Sequence, residues 1–522
     1  MMTSPNETTG ADALIAASAK AGIEVCFANA GTSEMAMLAS LMREPGIRVV
    51  PVLFEGVASG AADGYARMAS KPASTMLHLG PGLANASANL HNARRGQSPV
   101  VNWIGDHATW LMPHDPPLHS DIHALATNTS KWVGRPHRSE GISALASQAV
   151  RKAQEGKAGV SSLILPMNHL ESALAEPLVL PDFKVLEAKH APEKVIEDSA
   201  QILRVAEKPL LLLGGPAMDA ISLRNAARIG EAMGAKLMVE QFPRNIRREE
   251  GLPVPERLAY LPMFARQQLA NHDLILCLGA DRPACFFGYG DEAPLLTGPN
   301  CEVLNPIKDG ICPGTFLADL VLFLGVHDKT IVGAEERAEK TLSGPLQPET
   351  ICRAMANLLP HESIVICEGI TSSLPLYDEL AGAAPHHLIT NKGGSIGFAL
   401  SAAVGAAIAA PKQRVVSYVG DGSAAYTIQA LWTQARENLN VTNIICVNRA
   451  YVVLQMELMR MGVQAEGVGE DLTHIGRPDM NFAKIAEGFG VPAVEAHNLE
   501  EFSKALEESF ARPGPGLIAA VF

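Results

Sequence analysis

The fold is decided by residues 414–448, RVVSYVGDGSAAYTIQALWTQARENLNVTNIICVN. Apolar runs at 414–419 and 443–447 flank a helix-forming stretch at 425–436, the order of a strand, a crossover helix and a parallel strand. The first run leads into Gly420-Asp421-Gly422-Ser423, and the second ends at Asn448. Because open α/β sheets bind ligands at the carboxyl ends of their strands, we expect Asp421 and Asn448 to share one ligand edge.

The same alternation of strand-like and helical runs extends over the whole chain of 522 residues, which is too long for a single core. We therefore predict an α/β protein with three doubly wound parallel-sheet domains, at residues 1–175, 190–330 and 345–522. Strand-like runs lie at 49–54, 99–104, 161–166, 209–213, 273–278, 363–367 and 516–521.

Composition and charge limit the classes of partner. The chain is 47% hydrophobic and 19% charged, as globular enzymes are, and its net charge of −13 comes without a basic run that could follow a phosphate backbone. Nucleic acid is therefore not an expected partner. The polar start and the short apolar stretch at 399–410 predict neither a signal peptide nor a membrane span, so we expect a cytoplasmic protein. The eight cysteines contain no C-x-x-C pair and suggest no zinc site.

The residues around Asp421 suit an anion with a divalent cation. Flanking glycines allow close backbone approach, a helix start presents N–H groups, and the carboxylate can bind a cation that bridges two phosphates. The alternative is that Asp421 and Asn448 are ordinary capping and turn residues.

The 27-position spacing between Asp421 and Asn448 resembles the cofactor motif of thiamine-diphosphate enzymes of the decarboxylase and acetohydroxyacid synthase group. That resemblance implies thiamine diphosphate with Mg²⁺, and metal ligands at Asp421, Asn448 and the Ala450 carbonyl. The family often has Asn-Asn where this chain has Val447-Asn448. Because the second Asn is the family's metal ligand, this difference leaves the ligand unchanged. The cofactor would also contact Gly420, Gly422, Ser423, Tyr451, Thr371 and Ser372.

A second motif, Phe54-Glu55-Gly56 followed by AADGYA at 61–66, resembles the activating glutamate and helix of the same family. Glu55 would hydrogen-bond the pyrimidine ring, so that the cofactor's own amino group becomes basic enough to activate the thiazolium carbon. The alternative role for Glu55 is a carboxylate that stabilises a helix start.

Two further stretches resemble benzoylformate decarboxylase. In NKGGSIGFAL, residues 391–400, Ile396 would wedge beneath the cofactor and the Gly394 carbonyl would accept its amine. In AGTSE, residues 30–34, Thr32 falls on an active-site serine, and Leu77-His78 matches the L-H pair of that family, so that His78 would be an acid–base residue. Ile396 could instead be a core residue, and His78 a structural one.

Two departures separate the chain from benzoylformate decarboxylase. The stretch at 285–291, CFFGYGD, lacks a counterpart of that family's middle-domain histidine, and Glu457 replaces an apolar pocket residue. A charge at Glu457 favours a polar substrate over a phenyl ring. Acetohydroxyacid synthases share Gly80-Pro81-Gly82, but their F-Q-E segment is not evident at 115–121, and nothing indicates an FAD site.

The predicted function is action on 2-oxo acids by non-oxidative decarboxylation, carboligation or both. An acetolactate synthase-like large subunit is the alternative, followed by a non-catalytic regulatory subunit that binds the cofactor. A nicotinamide-linked oxidoreductase is disfavoured because no G-x-G-x-x-G fingerprint follows a strand. Since Glu55 and the metal motif lie on different domains, and the family builds its sites across subunits, we expect a homodimer or homotetramer.

Overall fold

The computed structural model describes residues 7–184, 186–288, 290, 292–308, 310–334 and 342–522. They form three mostly parallel sheets with helices packed on their faces, which confirms the predicted α/β fold. The predicted domain limits remain predictions.

The N-terminal sheet has six parallel strands in the order β2-β1-β3-β4-β6-β5. Its strands are β1 (Val25–Ala28), β2 (Arg48–Pro51), β3 (Ala73–Leu77), β4 (Val100–Asp106), β5 (Trp132–Gly134) and β6 (Val160–Pro166). Its helices are α1 (Gly10–Lys20), α2 (Met35–Leu41), α3 (Glu55–Ala69), α4 (Leu79–Arg95), α5 (Ile122–Thr129), α6 (Ile142–Gln154) and α7 (Met167–Glu171). The strand predicted at 49–54 ends early, at Pro51, because the chain turns there so that α3 can begin at Glu55.

The central sheet has five parallel strands in the order β10-β8-β7-β11-β12. These are β7 (Pro209–Leu213), β8 (Lys236–Val239), β10 (Glu256–Arg257), β11 (Leu274–Leu278) and β12 (Glu302–Leu304), with helices α8 (Glu193–Val205), α9 (Ala220–Met233), α10 (Pro262–Leu269) and α11 (Pro313–Leu324). The strand β9 (Ile246–Arg248) lies within this part of the sequence but joins the third sheet.

The C-terminal sheet has seven strands in the order β17-β18-β16-β15-β13-β14-β9, of which β9 alone is antiparallel to its neighbour. Its further strands are β13 (Ser363–Glu368), β14 (His386–Thr390), β15 (Val415–Gly420), β16 (Val441–Val447), β17 (Ala493–Ala496) and β18 (Gly516–Val521). Its helices are α12 (Pro348–Leu358), α13 (Leu376–Glu379), α14 (Ala399–Ala409), α15 (Asp421–Ala424), α16 (Ala430–Arg436), α17 (Val452–Arg460), α18 (Val468–Thr473), α19 (Phe482–Gly488) and α20 (Leu499–Ala511).

The helix predicted at 425–436 is interrupted. Residues 425–429 form a turn with i→i+3 hydrogen bonds between α15 and α16. The Thr427 hydroxyl donates to the Gly397 carbonyl at 2.9 Å, which ties this turn to the loop before α14.

Close packing of α3 on α14 joins the N-terminal and C-terminal sheets. A Cβ added to Gly405 would lie 1.8 Å from the Ala61 carbonyl oxygen, and one added to Gly64 would lie 2.1 Å from the Ala402 carbonyl oxygen. Only glycine permits this backbone approach. One apolar core therefore extends through both helices and both sheets of the chain.

No helix in the described ranges has the length and apolarity that a bilayer crossing requires.

Candidate active site

The structure brings Asp421 and Asn448 to the same edge of the C-terminal sheet, at the ends of the adjacent strands β15 and β16. Asp421 Oδ2 accepts a hydrogen bond from the Arg449 backbone N–H at 2.6 Å, and Oδ1 accepts one from Gly422 at 2.8 Å. Asn448 Oδ1 accepts from the Ala450 N–H at 3.0 Å. Arg449 has a φ of +58°, so a tight left-handed turn holds the Asn448–Ala450 segment against Asp421.

The oxygen atoms at this edge suit a hard divalent cation as ligands. Asp421 is 3% exposed and has no ion-pair partner among the described residues. Burial raises the pKa of its carboxyl, while hydrogen bonds from Arg449 and Gly422 act in the opposite direction. A buried carboxylate beside amide and carbonyl oxygens is a ligand set of the kind that Mg²⁺ prefers. In the described ranges no group of three or more His, Cys, Asp or Glu side chains offers another metal site.

Glycines keep the neighbouring backbone accessible. A Cβ on Gly420 would meet nothing nearer than the Gly369 carbonyl oxygen, at 3.9 Å, so open space lies between the ends of β15 and β13. A Cβ on Gly422 would lie 2.3 Å from the Tyr451 ring, which therefore packs directly on the Asp421–Gly422 turn. Ser423 follows in the same turn and is buried.

The predicted hydroxyl donors lie at the end of β13, next to β15 in the sheet. Thr371 and Ser372 belong to a 3₁₀ turn, Ile370–Ser373, in which Thr371 is half-buried and Ser372 is buried. The Ser372 carbonyl accepts a hydrogen bond from the Tyr418 hydroxyl at 2.8 Å, which anchors the turn to β15.

Glu55 begins α3 and is 7% exposed. Its Oε2 accepts a hydrogen bond from Asn85 Nδ2 at 3.0 Å, and a Cβ on Gly82 would lie 3.2 Å from its Oε1. Asn89 Nδ2 donates to the carbonyls of both Gly56 (2.9 Å) and Gly397 (3.0 Å). The Glu55 end of α3 is thus linked to the loop before α14.

That loop contains Gly394 and Ile396. Gly394 has a φ of +78° and donates its N–H to Asn391 Oδ1 at 3.0 Å, while the Ile396 side chain is half-buried. A Cβ on Gly394 would lie 2.9 Å from the Phe286 ring, so the central domain covers this part of the loop. Phe286 is one of four clustered aromatic residues, with Phe242, Tyr260 and Phe287.

Sequence reasoning missed Glu368, the last residue of β13. Its fully buried carboxylate accepts hydrogen bonds from the N–H groups of Phe398 (2.9 Å) and Ala399 (2.8 Å) and from Asn391 Nδ2 (2.9 Å). Burial raises the pKa of Glu368 to about 7, and these hydrogen bonds act in the opposite direction. Glu368 therefore holds the loop at 391–398 and the start of α14. A carboxylate at a buried strand end was the available signal.

His78 follows β3, and its environment differs from the expected one. Its Nδ1 lies 2.7 Å from Glu34 Oε2 and 3.2 Å from the Ser33 hydroxyl oxygen. Thr32, the predicted active-site residue, has an exposed side chain, whereas Ser33 and Glu34 are buried. Within this chain the hydroxyl beside His78 is thus that of Ser33.

The structure shows the surroundings of the stretch at 285–291 and of Glu457. Phe286 and Phe287 are 39% and 54% exposed, while Tyr289 and Asp291 of the same stretch lie outside the described residues. Glu457 pairs with Arg460 at 2.8 Å on α17, so its charge is compensated locally. The preference for a polar substrate stays a prediction.

The carboxyl edge of the central sheet contains a largely buried ion pair. Glu240 accepts the Gly215 N–H at 3.0 Å and pairs with Lys392 from the loop that precedes Gly394. A Cβ on Gly214 would lie 2.8 Å from the Glu240 carboxyl carbon. This pair links the central domain to the loop at 391–398.

Comparison with known proteins gives two family matches and several close relatives. Residues 8–126 match the N-terminal TPP binding domain of thiamine pyrophosphate enzymes, and residues 378–520 match the C-terminal TPP binding domain. The chain is 42% identical to the Mycobacterium tuberculosis protein named "Putative acetolactate synthase large subunit IlvX", over 98% of each chain. It is 26% identical to benzoylformate decarboxylase of Pseudomonas aeruginosa, over 95% of this chain and 96% of that one.

Solved structures agree on the fold. The thiamine diphosphate-dependent 4-hydroxybenzoylformate decarboxylase of Rhodococcus jostii RHA1 superposes with a TM-score of 0.85 at 23% identity, over 98% of this chain and 99% of that one.

Proposed function

This chain belongs to the thiamine pyrophosphate enzyme family, and from that premise we propose that it acts on 2-oxo acids, by non-oxidative decarboxylation, carboligation or both. It is a thiamine pyrophosphate-dependent enzyme related to benzoylformate decarboxylase and acetolactate synthase. The observation that most supports the proposal is the meeting of buried Asp421 with Asn448 at one sheet edge, in a chain that also places Glu55 at a buried helix start.

In this proposal Mg²⁺ is bound by Asp421, Asn448 and the Ala450 carbonyl. The buried carboxylate of Asp421, which has no ion-pair partner among the described residues, supports this assignment, because a cation would compensate its charge. The diphosphate would lie along the accessible backbone at the same edge, within reach of the turn that follows β13. Its contacts would be Gly420, Gly422, Ser423, Tyr451, Thr371 and Ser372.

Three residues would orient and activate the organic part of the cofactor. When bound, thiamine diphosphate supplies a thiazolium carbon that adds to a carbonyl and accepts the electrons released with CO₂. Glu55 would hold a proton at the pyrimidine nitrogen, and the Asn85 hydrogen bond supports its role by fixing the carboxyl. Ile396 would support the two rings from below, and the Gly394 carbonyl would accept the amine.

Assembly into a homodimer or homotetramer is part of the proposal. Large apolar side chains are exposed in and after α17, namely Leu454, Met456, Met459, Met461 and Val463. A second exposed set lies in the N-terminal domain, at Met35, Met42, Leu53 and Trp110. Exposed large apolar side chains can be covered by association, which supports pairing of the N-terminal domain of one copy with the C-terminal domain of another. The cytoplasmic location stays a prediction.

The test is turnover by purified protein supplied with Mg²⁺ and thiamine diphosphate. A panel of apolar, aromatic and polar 2-oxo acids is assayed for CO₂, aldehyde and 2-hydroxy ketone products. Aldehyde production supports the decarboxylase, and ketol formation from two 2-oxo acid molecules supports the acetolactate synthase-like alternative, which the 42% identical relative favours. Silence across the panel together with cofactor binding would support the regulatory subunit instead.

Sedimentation velocity over a range of protein concentrations tests the assembly. Dimers or tetramers are expected at assay concentrations, with loss of specific activity on dilution to monomer. A fully active monomer would contradict a site shared between subunits.

A further inference from the structure

We propose that Glu34 is a positioning residue that keeps the proton of His78 on Nδ1, which leaves Nε2 as the nitrogen that exchanges a proton with the substrate. This inference rests on the proposed function and deepens it. It assigns a role to a buried carboxylate that the sequence motifs did not single out.

The hydrogen bonds around the ring fix its tautomer by elimination. When Glu34 is ionised, its carboxylate only accepts hydrogen bonds, so its Oε2, at 2.7 Å, cannot donate to Nδ1. The Ser33 hydroxyl has one proton, and it is directed to Glu34 Oε1 at 2.6 Å. Neither neighbour of Nδ1 therefore has a proton to give, and Nδ1 must be the donor. In the neutral ring Nε2 is then an acceptor.

The other ring nitrogen is available. No hydrogen-bond partner for His78 Nε2 occurs within the described part of the chain, and the imidazole side chain is 25% exposed. A proton taken up by Nε2 would leave the ring as a cation in direct contact with the Glu34 carboxylate. Glu34 would stabilise that cation, as an orienting carboxylate does in other catalytic sites that depend on histidine.

Glu34 lies in a tightly packed pocket, which fixes its contact with His78. Glu34 is 0% exposed, and its Oε2 also accepts the Gly31 N–H at 2.8 Å. A Cβ on Gly105 of β4 would lie 1.7 Å from Glu34 Oε1, and one on Gly31 would lie 2.2 Å from His78 Nδ1. Two glycines thus admit the carboxylate and the ring to one pocket at the carboxyl ends of β1, β3 and β4.

A purely structural role for Glu34 is the competing explanation, since capping the turn at Gly31 would also require a buried carboxylate. The two roles differ in what they predict for His78. Capping fixes the turn whichever nitrogen of the ring is protonated, whereas positioning requires the Nδ1–H tautomer and acts on catalysis only through His78.

The first experiment reads the tautomer directly and needs neither cofactor nor turnover. Protein with ¹⁵N-labelled histidine is examined by long-range ¹H–¹⁵N correlation at a pH where the ring is neutral, and His78→Gln assigns the signal by its loss. We expect protonated Nδ1 and bare Nε2 for His78, and the same pattern in the neighbouring variant Thr32→Val. The Nε2–H tautomer would overturn the proposal.

The second experiment is a double-mutant cycle in kcat with Glu34→Gln and His78→Gln. The amide of Glu34→Gln keeps an oxygen for Nδ1–H and so preserves the fold while it removes the charge. We expect kcat to fall about 10-fold with KM and cofactor affinity unchanged, and no further fall when Glu34→Gln is added to His78→Gln. Multiplicative losses in the double variant would overturn the proposal.

Glu24→Gln is the matched control, because it makes the same change at an exposed carboxylate of the N-terminal domain that pairs with Lys71, and its kcat should equal that of the wild type. Inactivity of the wild-type enzyme on every 2-oxo acid would contradict the proposed function, whereas the tautomer measurement would still test the Nδ1–H assignment, since the Nε2–H form would overturn it with or without turnover.

Discussion

The buried carboxyl of Glu368 makes stability depend on pH in a predictable direction. Its pKa rises from the ordinary 4.5 to about 7 because burial penalises the charged form. Between these two values the unfolded chain has released the proton that the folded chain still holds. Stability therefore falls as pH rises through this window and levels off above it.

The size of the effect follows from the same two values. Each pKa unit corresponds to about 1.4 kcal/mol. A rise in the pKa of Glu368 from 4.5 to about 7 therefore lowers the free energy of unfolding by about 3 kcal/mol once the pH has crossed the whole window. Because the carboxyl is fully buried, solvent does not screen this penalty.

The assay compares the wild type with Glu368→Gln, which has no group that titrates at this position. Free energies of unfolding in urea are measured by circular dichroism from about pH 5 to about pH 8. Over that range the free energy of unfolding of the wild type should fall by roughly 2–3 kcal/mol more than that of the variant. At about pH 5 the variant itself should be less stable by roughly 1–3 kcal/mol, since its amide group faces backbone N–H donors at Phe398 or Ala399, and this difference should shrink as the pH rises. Parallel curves for the two proteins would refute the reasoning.

Two other substitutions test separate parts of the account. Glu55→Gln should lower kcat by roughly 10²–10⁴-fold with little change in cofactor affinity, as measured by steady-state kinetics and calorimetry, and undiminished turnover would contradict a proton-holding role. Gly405→Ala should destabilise the protein by roughly 1–3 kcal/mol in scanning calorimetry because its methyl group meets the Ala61 carbonyl, whereas Gly141→Ala, which meets nothing within 4 Å, should not. Equal thermal midpoints for these two alanine variants would argue against tight packing of α3 on α14.

The parts of the fold that the sequence predicted are those with strong local signals. The strands β7 and β18 have the predicted ends, because each is a continuous apolar run, and the run of β7 gives way to glycine. The meeting of Asp421 and Asn448 followed from the rule that parallel strands place their carboxyl ends together.

Features that depend on distant contacts were not predicted. The strand β9 reads Ile-Arg-Arg, which has no apolar alternation, and it exists because β14 offers an open edge. The interruption before α16 depends on the bond of Thr427 to Gly397, 30 positions away.

The same limit applies to the site. The family motif directed attention to Thr32, whereas the contacts with His78 are made by Ser33 and Glu34, whose position is set by the glycine at 105 on another strand. Glu368 was interpreted only as the start of a hydroxyl-rich segment, because its donors lie some 30 residues away, at the start of α14.

The most direct test of the central claim is titration calorimetry of thiamine diphosphate into the apoprotein, with and without Mg²⁺, for the wild type and Asp421→Asn. We expect the wild type to bind thiamine diphosphate tightly only when Mg²⁺ is present. In the variant we expect Mg²⁺ to make no difference to cofactor uptake. No uptake by the metal-loaded wild type, or equal uptake by both proteins, would contradict the claim that Asp421 and Asn448 bind the cofactor through a metal ion.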